Sequence, residues 1–545
     1  MGKTIPVGEY LIHRLGELGI NHVFGVPGDY VLGFYDQLVE SELETVCTCT
    51  EAGAGFAADA YARVNGLGAV SVTYCVGGLN TLNAVAGAYA EKSPLIVISG
   101  APGLNERARS PLLHHQVRDF NTQRNIFEEV TVAAVVVDDP STAPRRIDEA
   151  LQACLRHKRP IYLELPRDVV HMRCAAPEPF VRPSTGSDEA VLEEAVDEAS
   201  AMLRKAKRPV VLGGIEIHRF GLQNAFLRLV ERSGFPVAAT LLGKSIIREN
   251  HPQYVGIYEG AMGQEKVRRV VERADCVLIL GAFMTDINLG IYTAELDEAK
   301  TIYATAERIA IKRHSFDDVS LKDFIDHLGK AALGSTHKMV AAHRKAPRPH
   351  TVQPNRALSI RRFFRRMDDF LDARSVVICD IGDSLFGAAE LTIQRRTEFL
   401  SPAYYTSMGF AVPAALGAQM NKKRLRPIVF VGDGAFQMTG QELSTVVRQG
   451  LNPIVFVLNN KGYTTERFIN DGPYNDVLNW AYHRMPELLQ AGWGREVHTE
   501  GDLEEALAAA RGNKDGFSLI NLHLDPYDRS HAMERLAKRL GERLV

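Results

Sequence analysis

Short, continuous apolar runs alternate with longer stretches of helical period along nearly the whole chain, and that alternation leaves few architectures open. The first runs are HVFGV (22–26), TVCTC (45–49), AVSVTYC (69–75), LIVISG (95–100) and PIYLEL (160–165). PVVLGG (209–214) and CVLILG (276–281) occupy the middle. SVVICD (375–380), PIVFVGDG (427–434), PIVFVLNN (453–460) and SLINLHL (518–524) lie in the last third. A strand with one wet face alternates polar and apolar residues, whereas a run that is apolar throughout is covered on both faces. Such strands, separated by helices, build parallel sheets with right-handed crossovers. The expected fold class is α/β, with doubly wound parallel sheets.

Two stretches break the pattern. Residues 174–190, CAAPEPFVRPSTGSDEA, are rich in proline and small polar residues, and residues 334–357, GSTHKMVAAHRKAPRPHTVQPNRA, join prolines to basic residues with no apolar period. Both read as linkers, dividing the 545 residues into domains at 1–180, 188–335 and 355–545. Lys plus Arg number 63 and Asp plus Glu 66, for a net charge of −3. That balance offers no basic face for a phosphate backbone, so no nucleic acid partner is expected. No apolar run is long enough to cross a bilayer, so no membrane partner is expected either. The N-terminus lacks a signal-peptide pattern, and the seven cysteines include no CxxC pair. Both features fit a reducing cytoplasm.

The chemistry concentrates in VGDGAFQMTGQELSTVVRQGLNPIVFVLNNKGY, residues 431–463. One strand ends at Gly432-Asp433-Gly434 and the next at Asn459-Asn460, so Asp433 and Asn460, 27 positions apart, fall at the carboxyl ends of adjacent parallel strands. Open α/β sheets bind ligands at that edge. A carboxylate, an amide oxygen and the carbonyl of Gly462 form a set of hard oxygen ligands suited to Mg²⁺ bridging to a diphosphate. Gly432 and Gly434 let the backbone approach phosphate oxygens, and the following helix presents its positive end.

This segment resembles the thiamine diphosphate motif, in which GDG is followed by about two dozen residues and NN. The resemblance implies three domains of the thiamine diphosphate-binding fold: a pyrimidine-binding domain, a middle Rossmann-like domain and a diphosphate-binding domain. It implies thiamine diphosphate and Mg²⁺ as cofactors, with Asp433, Asn460 and Gly462 on the metal. Cofactor contacts are expected from Asp383, Ser384, Ser407, Met408, Gly432, Gly434, Ala435 and Tyr463. It also requires an activating glutamate. CTCTEAGAGFAADAYARVNG supplies Glu51 just after a strand. In the family such a carboxyl hydrogen-bonds the aminopyrimidine and favours its imino tautomer, the form that deprotonates the thiazolium. Met408 stands where relatives carry an Ile or Leu that bends the cofactor into a V; it departs in shape but stays large and apolar.

Three further features narrow the resemblance. Asp29 lies in GVPGDY, His114 and His115 in SPLLHHQ, and Glu466 in NNKGYTTERF. Together they look like the non-oxidative 2-keto acid decarboxylases, where an Asp, a His pair and a second Glu line the reaction cavity. EKSPLIVISGAP (91–102) and SMGFAVPAALGAQ (407–419) extend the likeness over nearly the whole chain. The implied reaction is decarboxylation of a 2-keto acid to an aldehyde and CO₂, with Glu51, Asp29, His114, His115 and Glu466 as catalytic residues.

Pyruvate-specific relatives narrow their pocket with bulky aromatics at places matching Ile287 and Leu385. With Ile381, Thr465 and Ile469, these smaller side chains suggest an aromatic or branched-chain 2-keto acid, with pyruvate as the alternative. An acetolactate synthase-like carboligase shares the GDG…NN motif and the activating Glu but lacks the His pair. A non-catalytic nucleotide-binding α/β protein is the remaining competitor. In the middle domain Gly213-Gly214 does not continue as GxGxxG, which leaves nucleotide binding there open. The amphipathic C-terminal stretch 531–545 is expected to dock on the protein, since its basic residues are offset by Glu. The family implies a homodimer or a dimer of dimers, a homotetramer, with the cofactor between chains.

Overall fold

Fully buried β-branched runs form the centre of three sheets in the computed structural model, which describes residues 3–184, 186–333, 350–394, 399–420 and 425–544. The first sheet has the spatial order Glu44–Cys47, His22–Val26, Gly68–Val72, Leu95–Ala101, Ile161–Pro166, Ala134–Val136, and every pairing is parallel. The last sheet runs Phe399–Leu400, Ser375–Cys379, Arg426–Gly432, Ile454–Asn459, Ser518–His523, Trp493–Val497, again parallel throughout. The middle sheet begins with five parallel strands, Tyr254–Ile257, Val237–Ala239, Pro209–Gly213, Cys276–Leu280 and Thr301–Ala304. It then departs from the expectation: Ile309–Ile311 and His314–Phe316 add an antiparallel edge.

The first predicted linker is partly ordered by pairing, since Arg173–Ala175 forms a two-stranded antiparallel ribbon with Thr4–Pro6. Residues 334–349 of the second lie outside the described residues. Among the described residues no helix is long and apolar enough to cross a membrane. All seven cysteines are free thiols.

Small residues decide how the first domain meets the third. Helices Glu51–Asn65 (EAGAGFAADAYARVN) and Ala411–Met420 (AVPAALGAQM) pack in one shared apolar cluster. A Cβ on Gly417 would stand 1.9 Å from the Ala57 carbonyl oxygen, so the two backbones approach as only glycine permits. The C-terminal helix His531–Leu544 docks as expected: Ala532, Met533 and Leu536 are buried in the third domain's cluster, and Arg535 donates to Met262 O (2.6 Å) and Glu390 Oε1 (2.8 Å).

Candidate functional site

The carboxyl ends of Arg426–Gly432 and Ile454–Asn459 open onto a cavity of about 290 Å³. Gly432, Asp433, Gly434 and Ala435 line it from one strand end, and Asn460, Gly462 and Tyr463 from the next. Asp433 is buried as the first residue of helix Asp433–Thr439. Its Oδ1 accepts from Gly434 N (2.8 Å) and its Oδ2 from Gly462 N (3.1 Å). Burial nonetheless pushes the carboxyl up to about 6, the response of a desolvated anion. Asn460 donates through Nδ2 to Thr464 Oγ1, while its Oδ1 is buried without a hydrogen-bond partner among the described residues. A bare amide oxygen and a buried carboxylate in one cavity fit a hard cation with oxygen ligands. Gly432 adds an open cradle, because a Cβ there would meet nothing within 4 Å.

The loop between these residues tolerates only glycine at 462, where φ is +152° and a Cβ would fall 2.1 Å from Asn475 O. Arg467, buried at the start of the next helix, clamps this loop. Its Nη1 donates to Asn460 O (3.0 Å), and its Nη2 to Lys461 O (2.7 Å) and Asp476 Oδ1 (2.8 Å). Glu466 lies exposed in the first turn of helix Thr464–Ile469 and borders the cavity together with Thr465.

Another strand end supplies the opposite wall. Asp380, fully buried, accepts from Ile381 N and Gly409 N (3.1 Å each) through Oδ1 and from Ala411 N (2.9 Å) through Oδ2. It thereby fixes the turn that carries Ser407 and Met408. Met408 reaches the cavity, whereas the Ser407 hydroxyl accepts from Asn83 Nδ2 (2.7 Å) on the first domain. Asp383 borders the cavity, but its oxygens are held by Ser530 N (2.8 Å) and the Ser530 hydroxyl, so it also anchors the C-terminal helix. Ser384 turns its hydroxyl back to Asp380 O (2.9 Å) and Ile381 O (3.0 Å).

Ile287 and Ile381 line the cavity, as expected of pocket walls. Leu385 and Ile469 do not. Leu385 is wholly buried in the third domain's apolar cluster, and Phe386 borders the cavity in its place. Successive helical residues point about 100° apart, so the two neighbours divide between core and cavity.

The first domain gathers a second group. Glu51 opens its helix behind the Thr50 cap, whose hydroxyl accepts from Gly53 N (3.0 Å), and Glu51 Oε2 accepts from Asn80 Nδ2 (2.7 Å). Glu442 of the third domain holds the turn that presents it, accepting from Cys49 N and Thr50 N (3.1 Å each). His114 Nε2 lies 2.8 Å from Asp29 Oδ2, and the His114 and His115 rings stand 4.8 Å apart against Tyr30. Asp29, His114 and His115 are thus brought together. None of these three, nor Glu51, lines the cavity at Asp433 within one chain. Sequence reasoning missed Asp380, Glu442 and Arg467, because each stands outside any motif and is held largely by backbone groups with no signature of their own.

Three family models match the chain: "Thiamine pyrophosphate enzyme, N-terminal TPP binding domain" over residues 5–125, the central domain over 196–328 and the C-terminal TPP binding domain over 380–522. The Schizosaccharomyces pombe protein named "Probable pyruvate decarboxylase" is 35% identical, with 99% of this chain and 96% of that protein covered. Pyruvate decarboxylase 1 of Pisum sativum is 34% identical, covering 98% and 93%. Pyruvate decarboxylase 2 of Arabidopsis thaliana is 34% identical, covering 98% and 91%. The chain belongs to the thiamine diphosphate-dependent 2-keto acid decarboxylase family. It is a carboxy-lyase acting on a 2-keto acid with thiamine diphosphate, and Mg²⁺ is the usual metal partner in this family.

For this decarboxylase the Arg467 clamp carries a direct expectation. Hydrogen bonds to charged groups contribute about 1.5–3 kcal/mol each. Arg467→Ala should therefore raise the half-saturating concentration of thiamine diphosphate with Mg²⁺ at least about tenfold. Turnover at saturation should stay near the starting value. Titration of the cofactor-free protein, followed by tryptophan fluorescence and by rate, separates the two effects; unchanged half-saturation would release Arg467 from this role.

Proposed function

We propose that the chain is a pyruvate decarboxylase, converting pyruvate to acetaldehyde and CO₂. The observation that carries this reading is that relatives named pyruvate decarboxylase align with the chain from end to end at 34–35% identity. Bound thiamine diphosphate supplies the electron sink for the pair released when CO₂ leaves. Asp433, Asn460 and the Gly462 carbonyl would hold Mg²⁺, and the glycines at 432 and 434 would let the diphosphate approach. Met408, on the cavity wall, would give the cofactor an apolar surface to rest against. Glu51 would hold a proton at its carboxyl for the pyrimidine ring of the cofactor. Glu466, at the cavity mouth, stands beside the departing carboxylate, and the apolar walls Ile287, Ile381 and Phe386 exclude water there. Asp29, His114 and His115 would move protons on and off the product as a relay.

Because the Glu51 group and the Asp433 group do not share a cavity in one chain, the complete site takes one group from each of two copies. The assembly is a homodimer or a dimer of dimers.

A second reading rests on the cavity wall. Ile287, Ile291, Ile381, Met408 and Leu536 leave it largely aliphatic, with Phe386 on the side where Leu385 turns away and Tyr463 beside the Asp433 strand ends. Such a wall accommodates aromatic or branched-chain 2-keto acids. A methylene of pocket volume discriminates by only ~1–3 kcal/mol, so some activity on both classes is expected. Rates across pyruvate, 2-ketoisocaproate, phenylpyruvate and indolepyruvate decide the matter. The highest kcat/KM should fall on pyruvate; a tenfold or greater preference for phenylpyruvate would transfer the assignment to the second reading.

A further inference from the structure

A cluster of imidazoles at the outer edge of the last sheet has no part in the site described above. Glu496 belongs to edge strand Trp493–Val497, His498 follows that strand, and His523 ends its neighbour Ser518–His523. The strands are parallel, pairing Glu496 with Asn521 and Val497 with Leu522. Continuing that register sets His498 across from His523. Alternate residues share a face of a sheet, so Glu496, His498 and His523 emerge on the same side.

The details are those of a ligand set. The His498 and His523 rings stack with centroids 4.1 Å apart and planes 7° apart. His523 Nε2 lies 3.2 Å and His498 Nε2 3.7 Å from one oxygen, Glu496 Oε2. One ligand atom from each of the three residues falls within 4.8 Å of the others. A third imidazole approaches from the short helix Tyr482–Arg484: His483 Nδ1 is 3.8 Å from the same oxygen, too far for a hydrogen bond. That nitrogen is buried and has no hydrogen-bond partner among the described residues. Nitrogen and oxygen ligands at 2.0–2.1 Å around a tetrahedral ion stand ~3.3 Å from one another. Reaching that arrangement requires the stacked His498 and His523 rings to turn out of parallel, so that one point lies in both ring planes, and the ligand atoms to close from as much as 4.8 Å. Glu496 and His498 are about half exposed, which leaves an entry path from solvent.

We infer that Glu496, His498 and His523, with His483 as a fourth donor, bind a divalent first-row transition ion of the Zn²⁺ class. Imidazole nitrogens with one carboxylate select Zn²⁺, Co²⁺ or Ni²⁺ over Mg²⁺, which prefers an all-oxygen shell. The site is therefore separate in chemistry, as well as in place, from the oxygen ligands at Asp433 and Asn460.

The test uses the full chain loaded with thiamine diphosphate and Mg²⁺, so that the Asp433 site is filled before any other ion is added. Protein is dialysed against micromolar Zn²⁺, and bound metal is measured by atomic emission for the unaltered chain and for the double change His498→Ala with His523→Ala. The double variant should bind one fewer Zn²⁺ per chain, and the visible absorption of four-coordinate Co²⁺ in cobalt-loaded protein should fall by one site's share. Ions held at Asp29, His114 and His115 are common to both proteins and cancel in the difference. Decarboxylation by the variant in zinc-free buffer should be unchanged, which also reports that it has folded. Glu496→Gln, which keeps shape and loses charge, provides a second arm. Its Zn²⁺ Kd should rise at least about tenfold, the size seen when even an outer-shell partner of a metal site is removed. Equal stoichiometry in the unaltered and doubly changed chains, or an unaltered Kd in Glu496→Gln, overturns the inference.

Discussion

Glu51→Gln should cut decarboxylation by about 10²–10⁴-fold, the usual worth of a positioned general acid or base. The amide has the shape of the acid and can still accept from Asn80 Nδ2 through its oxygen. The turn beneath it, held by Glu442 and the Thr50 cap, is untouched. What disappears is the ability of this side chain to hold and return a proton. The loss should therefore fall on turnover, while titration of the cofactor-free variant with thiamine diphosphate and Mg²⁺ shows binding within a few-fold of the original. A variant that retained its rate would remove Glu51 from the reaction and, with it, the pairing of two copies around each site. Loss of binding together with rate would instead mark Glu51 as a structural contact.

The second large effect concerns stability. Arg63 is buried between Asp59 and Glu91, donating through Nε and Nη2 to the two oxygens of Asp59 (2.9 and 2.8 Å) and through Nη1 to Glu91 Oε2 (2.7 Å). Its Nη1 also reaches Ser401 O (3.2 Å). The other oxygen of Glu91 accepts from Tyr404 N (2.8 Å) and Tyr405 N (2.9 Å), just before the turn that carries Met408. Arg63→Met preserves length and removes the charge, leaving two carboxylates in a dry interior. Breaking such a pair costs about 3–5 kcal/mol, most of it the penalty of the stranded anions. The urea midpoint should fall accordingly, and activity should fall with it as the 401–408 segment loosens. Arg63→Lys should recover only part, because an ammonium cannot bridge both acids with a planar fork. An unchanged midpoint in Arg63→Met would mean that water or a rearranged side chain already neutralises the pair.

The fold was readable wherever burial was complete. Leu95–Ala101 and Arg426–Gly432 are apolar runs covered on both faces, and each appears as a parallel strand in the interior of its sheet. Most edges were not readable, though Glu44–Cys47, the outer strand of the first sheet, falls on the TVCTC run. Ala134–Val136 has three residues, Phe399–Leu400 two, and Trp493–Val497 carries Arg and Glu among its five. An edge strand is half wet, so nothing forces its residues to be apolar. The antiparallel hairpin of the middle sheet escaped for the same reason, His314 and Ser315 being exposed.

The site divides in the same way. Asp433 and Asn460 could be located because each sits at the end of a legible strand, and parallel neighbours bring their carboxyl ends to one edge. Arg467, Asp380 and Glu442 could not, since most of their partners are peptide groups that any sequence contains. What the linear order of residues determined was the succession of strands and helices and the types of oxygen donor at their ends, because period and turn chemistry are properties of neighbours along the chain. Only the tertiary structure decided that Leu385 faces the core and Phe386 the cavity, that Glu51 and Asp433 lie apart within one chain, and that three histidines converge on Glu496. Those outcomes depend on which strands lie side by side and on how each helix is rotated against its sheet, and both are set by packing between segments that are not neighbours along the chain.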